Sequence, residues 1–341
     1  MSNQPKISIV TPSFNQGQYI EETINSIISQ NYPNLEYIII DGGSTDGTIN
    51  ILNKYDNKIS KYVSTSDRGQ THAINKGFKM STGEICTWIN SDDLIYDDAL
   101  WKVAGYFSKD SNLDFIHGRG FYFNDKGKEW PADKNLNNLD IRYITHFCYD
   151  LQPSTYFRRT VFDKIGYLDE NYVLQMDAEF FMRIGLNCKI KKVSDLLSKF
   201  REHDLRKSNS LDNINFVEIE FYQRYSKLLR SFSFTDDFIN VARNFNIYIE
   251  GNDVYPVTKN FSRRQIEHSF FIFLVKVTEV KYLKSDYNAV KMLINYLMKN
   301  YPILFKQDKT LISIYRRIFF IKYIPPKLIS KLRNHIIRNG L

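Results

Sequence analysis

The stretch Thr87-Trp88-Ile89-Asn90-Ser91-Asp92-Asp93 is a short apolar run that ends on two adjacent carboxylates. A buried strand that ends in this way places its acidic residues at the rim of a sheet, where open α/β folds bind ligands. Neighbouring carboxylates repel each other unless a cation lies between them, and Mg²⁺ or Mn²⁺ takes oxygen ligands of this kind. The stretch therefore predicts a cation site. The alternative is an acidic turn that caps a helix starting near Tyr96, since Asp is a common N-cap residue.

Before this stretch, short β-branched runs alternate with segments whose apolar residues recur at helical spacing. Strands separated by helices of about ten residues predict an α/β fold with a doubly wound, mostly parallel sheet. We predict strands at residues 6–11, 35–40, 61–65 and 84–89, and helices at 19–30, 48–55 and 69–80. The loops after the strands are then expected to line one cleft, and they are residues 11–17, 41–47, 67–70 and 90–93.

The pattern changes twice beyond this point. We predict a helix at 94–107, a strand at 114–117, a hairpin at 121–124, a loop at 125–140, a strand at 152–157, and helices at 159–165 and 175–186. From Ile214 onward the segments are long, aromatic and helical in pattern. We therefore predict a catalytic domain over residues 1–206 and an α-helical C-terminal region over 207–341, with the boundary near Lys207–Asn213.

The composition is that of a soluble globular protein, with 43% hydrophobic and 25% charged residues among 341. No run approaches the roughly 18 apolar residues of a membrane span, and the first residues lack the apolar core of a signal peptide, so we expect a cytoplasmic protein. The three cysteines, Cys86, Cys148 and Cys188, have neither metal-ligand nor disulfide-scaffold spacing, and we expect packed thiols.

The glycine-rich turn after Asp41 matches neither the GxGxxG nor the GxxxxGK[ST] pattern. The Asp41 carboxylate can accept a hydrogen bond from a nucleobase imide or a ribose hydroxyl, while Gly42 and Gly43 let the backbone approach a ligand. The alternative is a strand-to-helix turn in which Ser44 or Asp46 caps the next helix, and both interpretations can hold together.

Four motifs stand in order: TPSFNQGQYIEETINSI (11–27), IIIDGGSTDGT (38–48), SDRGQTHAINKGF (66–78) and GEICTWINSDD (83–93). Together they resemble the family 2 glycosyltransferases of the GT-A fold, which are inverting enzymes that use nucleotide-activated sugars. The resemblance covers roughly the first 205 residues. Four ordered matches coincide by chance far less readily than one short motif.

The resemblance implies a role for each matching position. Residues near the donor nucleotide are Thr11, Pro12 and Phe14 beside the uracil and ribose, Asp41 and Asp67 at the base, and Asn75 close to the donor. Asp92 then faces the ribose or the metal, and Asp93 binds the metal directly. Asn90 stands where the family often has the first acid of a DxD motif, which leaves the number of protein ligands to the cation open.

An inverting transfer needs a base that takes the proton of the acceptor hydroxyl. The segment QMDAEFFMR (175–183) resembles the acidic helix of the family, and Asp177 matches its base. Glu179 is the competing candidate, but Arg183 lies four residues later on the same helix face and is a structural partner for it. We therefore predict that Asp177 is the base.

A Mn²⁺ or Mg²⁺ ion would neutralise charge on the departing diphosphate. His203 resembles a late histidine of the family that reaches the metal or diphosphate, and Arg201 is expected to assist the phosphates. A lone His is alternatively a surface or packed residue. His72, His117 and His146 have no comparable pattern, and we expect them to be structural.

The end of the chain, residues 311–341, contains seven Lys or Arg residues and no acid among its apolar residues. Such a basic amphipathic stretch can bind an anionic membrane surface, which predicts a peripheral protein on the inner face of the plasma membrane. A helical cap on the catalytic unit and a contact in a homo-oligomer are the alternatives. No nucleic acid is expected as a partner, because no recognised binding module accompanies the charge.

The leading hypothesis is an inverting, metal-dependent hexosyl- or N-acetylhexosaminyltransferase. The resemblance implies that it moves a sugar from a nucleotide-sugar donor, most simply a UDP-sugar, to a glycan or lipid-linked glycan acceptor in polysaccharide biosynthesis. A sugar nucleotidyltransferase is a second hypothesis, although TPSFNQGQY lacks the Arg and Lys of such loops. A non-catalytic nucleotide-sugar-binding protein is the third.

Overall fold

The computed structural model describes residues 4–132, 151–204 and 213–320. The chain divides into two compact units, the first formed by Met1–Arg224 with Asp253–Asn260 and the second by Tyr225–Asn252 with Phe261–Leu341. The predicted boundary at 207–213 falls almost wholly outside the described residues. The assignment of 1–206 as catalytic and 207–341 as a C-terminal region therefore stays a prediction.

The first unit contains one sheet of nine strands in the described residues. In chain order the strands are β1 Ile7–Ser13, β2 Leu35–Asp41, β3 Lys61–Ser64, β4 Ile85–Trp88, β5 Leu94–Ile95, β6 Phe115–Asn124, β7 Glu129–Pro131, β8 Thr155–Arg158 and β9 Ile190–Glu202. Their order across the sheet is β3-β2-β1-β4-β8-β6-β9-β5, and β7 pairs with β6. The pairs among β1 to β4 are parallel, whereas β8 is antiparallel to both β4 and β6.

The helices of the first unit connect and flank these strands. They are α1 Ile20–Ile28, α2 Thr48–Lys54, α3 Gln70–Met80, α4 Ala99–Lys109, α5 Val161–Ile165 and α6 Met176–Asn187. Helix α7, Asn213–Arg230, begins in the first unit and ends in the second. The second unit contains α8 Asp236–Asn244, α9 Arg263–Leu283, α10 Tyr287–Asn300, α11 Pro302–Gln307 and α12 Lys309–Phe320. No described helix is long and apolar enough to cross a membrane.

The central parallel strands β1, β2 and β4 are largely buried on both faces, as continuous apolar runs such as Tyr37-Ile38-Ile39-Ile40 predict, whereas the edge strand β3 is exposed or half-buried. Successive side chains of a strand point to opposite faces. Ile39 accordingly packs in one hydrophobic cluster, and Ile38 and Ile40 pack in the other. This two-sided burial fixes the register of β1, β2 and β4 and brings their carboxyl ends to the same edge of the sheet.

The predicted fold class, an α/β GT-A fold followed by a helical region, is confirmed, and several element predictions need correction. Residues 94–107 are not one helix, because Leu94–Ile95 form β5 against β9 and the helix begins only at Ala99. The strand at 114–117 and the hairpin at 121–124 are one continuous strand, β6. Part of the predicted loop at 125–140 is β7, and residues 133–140 lie outside the described residues.

Strand β9 was not predicted from the sequence at all. Its polar residues hide the alternation that marks a strand, and it forms by pairing with β6 in parallel and with β5 in antiparallel orientation. Two of the expected packed thiols, Cys86 and Cys188, are indeed buried and free. Burial raises the pKa of the Cys86 thiol to about 12 and that of Cys188 to about 11, so both stay protonated near neutral pH. Cys148 and His146 lie outside the described residues.

Candidate active site

A cavity of about 690 Å³ opens at the carboxyl edge of the parallel strands, wholly within the first unit. A volume of this order suits a small-molecule ligand or cofactor. The loops after β1, β2, β3 and β4 contribute one part of its wall, and the segment before α6 and the end of β9 contribute another. Its lining includes Pro12, Phe14, Gly42, Asp67, Asn90, Asp92, Gln152, Asp177 and His203.

The loops after β1 and β2 are joined by hydrogen bonds that shape one end of this cavity. The Asn15 amide N–H donates to Ser44 Oγ at 2.7 Å, and the Gly17 N–H donates to Asp46 Oδ2 at 2.8 Å. The two loops therefore form one connected surface. Asp46 also accepts from the Thr48 N–H at 3.1 Å at the start of α2, but the N-cap residue of this helix is Gly47, so neither Ser44 nor Asp46 occupies the predicted cap position.

Gly42 makes a slot between Phe14 and Asp67. A Cβ atom at residue 42 would lie 3.2 Å from both Phe14 Cδ2 and Asp67 Oδ2. The Phe14 ring is 60% exposed, so its face is available to a flat ligand. An aromatic face and a carboxylate beside exposed backbone are suited to a nucleobase, which needs stacking and hydrogen-bond acceptors.

Asp41 and Thr11 lie behind the lining rather than in it. The Asp41 carboxylate is fully buried and accepts hydrogen bonds from the N–H groups of Gly43 (3.0 Å) and Ser44 (2.9 Å) and from the Ser64 hydroxyl (2.7 Å). It thus holds the glycine-rich turn, a role that the sequence analysis did not predict. The Thr11 hydroxyl is buried and accepts from the Tyr37 hydroxyl at 3.2 Å. Contacts of these two residues with a nucleotide stay predictions.

The structure does not bring Asn75 to the cavity. Its side-chain amide is buried, donates to the Leu168 carbonyl at 2.9 Å and accepts from the Leu168 N–H at 3.1 Å. Both polar ends of the side chain therefore fasten α3 to the loop after α5. This arrangement gives Asn75 a structural part and places it apart from the residues that line the cavity.

The two adjacent aspartates have different surroundings. Asp92 lines the cavity, whereas the Asp93 side chain is buried and accepts from the Arg201 N–H at 3.1 Å and from Asn90 Nδ2 at 3.2 Å. Burial first, and then the neighbouring Asp92 charge, raises the pKa of Asp93 well above its usual range. The next helix begins at Ala99, so neither aspartate caps it.

Asn90 explains how the buried Asp93 is tolerated. A carboxylate at residue 90 would add a third negative charge, whereas the Asn90 amide donates to Asp93 and accepts from Gln70 Nε2 at 2.9 Å. In place of the first acid of the DxD pattern, this chain therefore has an amide at residue 90 that hydrogen-bonds to both Asp93 and Gln70. Asp92, rather than Asp93, presents its carboxylate to the cavity.

His203 lies beside Asp92 in the lining of the cavity, although 111 positions separate the two residues in the chain. The His203 Nε2 atom lies 3.0 Å from Asp92 Oδ2, and the imidazole ring packs against the Tyr19 ring at 4.7 Å between centroids. A carboxylate oxygen suits Mg²⁺ and Mn²⁺, and an imidazole nitrogen suits Mn²⁺ better than Mg²⁺. Two protein atoms do not complete a coordination sphere, and no cluster of three or more His, Cys, Asp or Glu side chains placed to hold a metal occurs in the described residues.

Arg201 is not placed to assist the phosphates. Its buried guanidinium pairs with Glu22 at 2.6 Å and with Asp125 at 2.9 Å, and its Nε donates to the Asp92 carbonyl at 3.0 Å. It also lies 4.4 Å from the centroid of the Phe123 ring. Through these contacts Arg201 holds the Asp92 backbone in position.

Asp177 and Glu179 have different surroundings, although both lie in the first turn of α6. Asp177 lines the cavity and accepts from the Ala178 N–H at 2.7 Å. Glu179 is fully buried and forms two hydrogen bonds with Arg183, at 2.8 and 2.6 Å. The structural partner predicted for Glu179 is therefore present, and Asp177 is the carboxylate of this pair that can reach a substrate.

Three further polar residues line the cavity and were missed in the sequence analysis. Ser13 Oγ, Gln16 Oε1 and Gln152 Oε1 are buried and have no hydrogen-bond partner in the part of the chain that the structure describes. Buried polar atoms without a partner are rare and costly, which marks the cavity as a site for a polar ligand. The first two lie in the quoted loop motif, whereas no local pattern marks Gln152.

The fold and the cavity define this chain as a GT-A-type α/β protein with a ligand site at the carboxyl edge of its parallel strands. Residues 8–167 match the model of the family described as Glycosyl transferase family 2. Over these residues, somewhat less than half of the chain, the sequence is similar to glycosyl transferase family 2, which confirms the resemblance found in its motifs. Its own donor, acceptor and mechanism are matters for proposal.

Two curated relatives show the same similarity. The chain is 29% identical over 225 residues to the uncharacterized glycosyltransferase RT0329 of Rickettsia typhi, covering 61% of this chain and 68% of the relative. It is 30% identical over 203 residues to the poly(ribitol-phosphate) beta-N-acetylglucosaminyltransferase TarS of Staphylococcus aureus, covering 56% of this chain and 34% of TarS. The chain thus spans about a third of TarS.

Two solved structures share the fold. TarS 1-349 in complex with UDP-GlcNAc aligns with a TM-score of 0.55 and 20% identity, covering 92% of this chain and 90% of that one. The mannosyltransferase PcManGT of Pyrobaculum calidifontis, in complex with GDP-Man and Mn²⁺, aligns with a TM-score of 0.54 and 16% identity, covering 98% and 86%. At these identities the likeness establishes the fold alone.

Proposed function

We propose that the chain is an inverting, metal-dependent glycosyltransferase that moves a hexosyl or N-acetylhexosaminyl group from a UDP-sugar to a glycan or lipid-linked glycan acceptor. The observation that carries the proposal is that Asp177 and the Asp92–His203 pair line the same cavity. A base and a candidate cation site on one cavity supply both halves of a group transfer. The UDP-GlcNAc complex of TarS supports the choice of donor.

In the proposed reaction the Asp177 carboxylate accepts the proton of the acceptor hydroxyl as that oxygen attacks the anomeric carbon. The bond from that carbon to the nucleoside diphosphate breaks on the opposite face, and the configuration inverts. Phe14, Gly42 and Asp67 hold the base of the nucleotide, and Asp92 faces its diphosphate side.

Asp92 and His203 are the residues proposed to hold the cation, and Asp93 can join them only if its buried carboxylate turns toward the cavity. A bound cation would supply positive charge to the departing diphosphate. Phosphate oxygens of the donor and water would supply the other ligands, as is usual for Mg²⁺ sites. The Mn²⁺ in the PcManGT complex supports the choice of metal.

TarS is named for transfer to poly(ribitol phosphate), a polyol-phosphate chain, which favours a polymeric acceptor in polysaccharide biosynthesis. We propose in addition that the chain works in the cytoplasm, with the basic residues of 311–341 on an anionic membrane surface or in a homo-oligomer contact. Residues 321–341 lie outside the described residues.

Calorimetric titration with UDP-GlcNAc and UDP, with and without Mn²⁺, tests the donor and the metal. The Asp177→Asn variant tests the base. It should bind UDP-GlcNAc like wild type, but release UDP about 10²- to 10⁴-fold more slowly with poly(ribitol phosphate) or water as acceptor. Asp195→Asn is a matched control, because Asp195 accepts from the Tyr106 hydroxyl and does not line the cavity. Full activity of the Asp177 variant would refute the base assignment.

A further inference from the structure

Gln152 is a buried amide on the cavity wall with only one of its two ends in use. It begins a single turn of 3₁₀ helix, Gln152–Ser154, directly before β8, and its residue surface is 7% exposed. Its Nε2 donates to the Trp88 carbonyl at the end of β4 at 2.7 Å. Its Oε1 atom is buried and has no hydrogen-bond partner in the part of the chain described.

The Trp88 carbonyl fixes which way this amide points. A carbonyl oxygen can only accept, so the NH₂ group of Gln152 must face it, and a flipped amide would bring two carbonyl oxygens together. The backbone is held as well, because the Thr155 hydroxyl donates to the Gln152 carbonyl at 2.6 Å. The Oε1 atom is therefore a fixed acceptor, and a ligand that satisfies it must bring an O–H or N–H group.

The position of Gln152 selects which part of a sugar nucleotide can supply that donor. Phosphate oxygens of an ionised diphosphate only accept, and the base slot is formed by residues after β1, β2 and β3. Trp88, to which Gln152 is bonded, precedes Asp92 by four positions on the wall proposed for the diphosphate. The group joined to the diphosphate is the sugar, which is rich in hydroxyls.

We propose that Gln152 is a specificity residue whose Oε1 accepts a hydrogen bond from a hydroxyl or amide N–H of the donor sugar. This proposal rests on the proposed glycosyltransferase function. A site built to pair with a substrate hydroxyl discriminates against analogues that lack it, because its own polar atom is then left unpaired. Gln152 therefore contributes to the choice of sugar and leaves binding of the nucleotide to other residues.

The test compares UDP with UDP-GlcNAc, each titrated calorimetrically into full-length wild type and Gln152→Met. Methionine keeps the length of the side chain and removes both amide ends. The variant should bind UDP like wild type and bind UDP-GlcNAc about tenfold more weakly, equal to about 1.4 kcal/mol. Gln152→Asn, which retracts the carbonyl by one methylene, should show the same selective loss and serves if the Met variant does not fold.

Gln30→Met is the matched control. Gln30 is also a buried glutamine, but its amide donates to the carbonyls of Ser26 and Tyr96 and accepts from the Leu100 N–H, and it lies outside the cavity. This variant should lose more thermal stability than Gln152→Met and keep wild-type affinity for both ligands.

Three results would contradict the role of Gln152. Equal affinity of wild type and Gln152→Met for UDP-GlcNAc would refute it and leave the proposed function standing. An equal loss for UDP and UDP-GlcNAc would refute the assignment to the sugar. A wild-type protein that binds neither UDP-GlcNAc nor GDP-mannose would overturn the proposed function, and the role of Gln152 with it.

Discussion

Glu220 fastens the segment that leads into the proposed catalytic helix. Its carboxylate, on α7, accepts from the N–H groups of Val173 (2.7 Å), Leu174 (3.0 and 3.3 Å) and Gln175 (2.7 Å). Asp177 follows this segment by two residues, and Val173 and Leu174 themselves line the cavity. The substitution Glu220→Gln keeps the shape of this side chain and replaces one acceptor oxygen by an NH₂ group, so it perturbs the anchor with little change in volume.

The structure gives an approximate size for this effect. Three N–H groups share the two carboxylate oxygens, so at least one N–H loses its acceptor and faces another donor in the variant. The loss of a charged acceptor for a partly buried N–H costs about 2 kcal/mol. For a domain of this size that corresponds to a fall in Tm of about 4–8 °C. Because a displacement of about 1 Å can cost about a hundredfold in rate, we expect kcat to fall about ten- to a hundredfold.

The assay combines thermal unfolding with UDP release at 25 °C, well below the transition. Glu218→Gln is the control on the same helix. Glu218 is also buried, but it accepts from the Tyr222 hydroxyl at 2.5 Å, and a glutamine carbonyl can accept the same hydrogen bond. This control should retain kcat. A Glu220→Gln variant with wild-type Tm and kcat would refute the view that these four contacts position Asp177.

Three further predictions concern the metal pair, a buried ion pair and acid stability. Asp92→Asn or His203→Ala removes a proposed metal ligand and should raise the Mn²⁺ concentration for half-maximal UDP release at least about tenfold. An unchanged Mn²⁺ concentration would exclude that residue as a ligand. Arg183→Ala should lower the free energy of unfolding, measured in urea, by about 3–5 kcal/mol, because it leaves the Glu179 charge buried without its partner. A loss below about 1 kcal/mol would contradict a stabilising role of this ion pair. Burial opposes ionisation of Glu36, but hydrogen bonds outweigh it and lower its pKa from 4.5 to about 2. A carboxylate whose pKa is lower in the folded than in the unfolded protein stabilises the fold at pH values above its unfolded pKa. Up to about 3 kcal/mol of the free energy of unfolding should therefore be lost as the pH falls from 4.5 towards 2. Glu36→Gln should remove this pH dependence in acid titrations of stability. The donors to Glu36 are Lys6, Ser8 and Thr82.

The order of strands and helices up to Trp88 was predictable because each element has its own local pattern. The β-branched run before Asp41 forms a strand that is buried on both faces, and the isoleucines of α1 recur at helical spacing. The resemblance to family 2 glycosyltransferases was also readable from the sequence, since four motifs in order are a property of the chain alone. The partner of Glu179 followed from the i,i+4 geometry of a helix, which depends on nothing outside it.

Beyond Asp93 local patterns were less informative, because pairing between distant segments decided the structure. Strand β9 is polar enough to hide its alternation and forms only because β6 and β5 lie beside it. The same strand carries the chain to His203 and so brings its imidazole to Asp92. The resemblance named both residues as metal candidates, but only the tertiary structure shows that they face each other.

The sequence by itself determined that carboxylates lie at the end of the buried strand β2 and shortly after the buried strand β4, because burial and alternation are local. Only the tertiary structure decided which polar atoms stay available to a ligand. Asp41, Asn75 and Arg201 carry suitable groups, but partners elsewhere in the fold satisfy these groups. Gln152 has no motif, yet among the described residues its side-chain carbonyl has no hydrogen-bond partner at the cavity wall. Hydrogen-bond satisfaction depends on neighbours that are remote in the chain, and for that reason it is not a property of any short stretch of sequence.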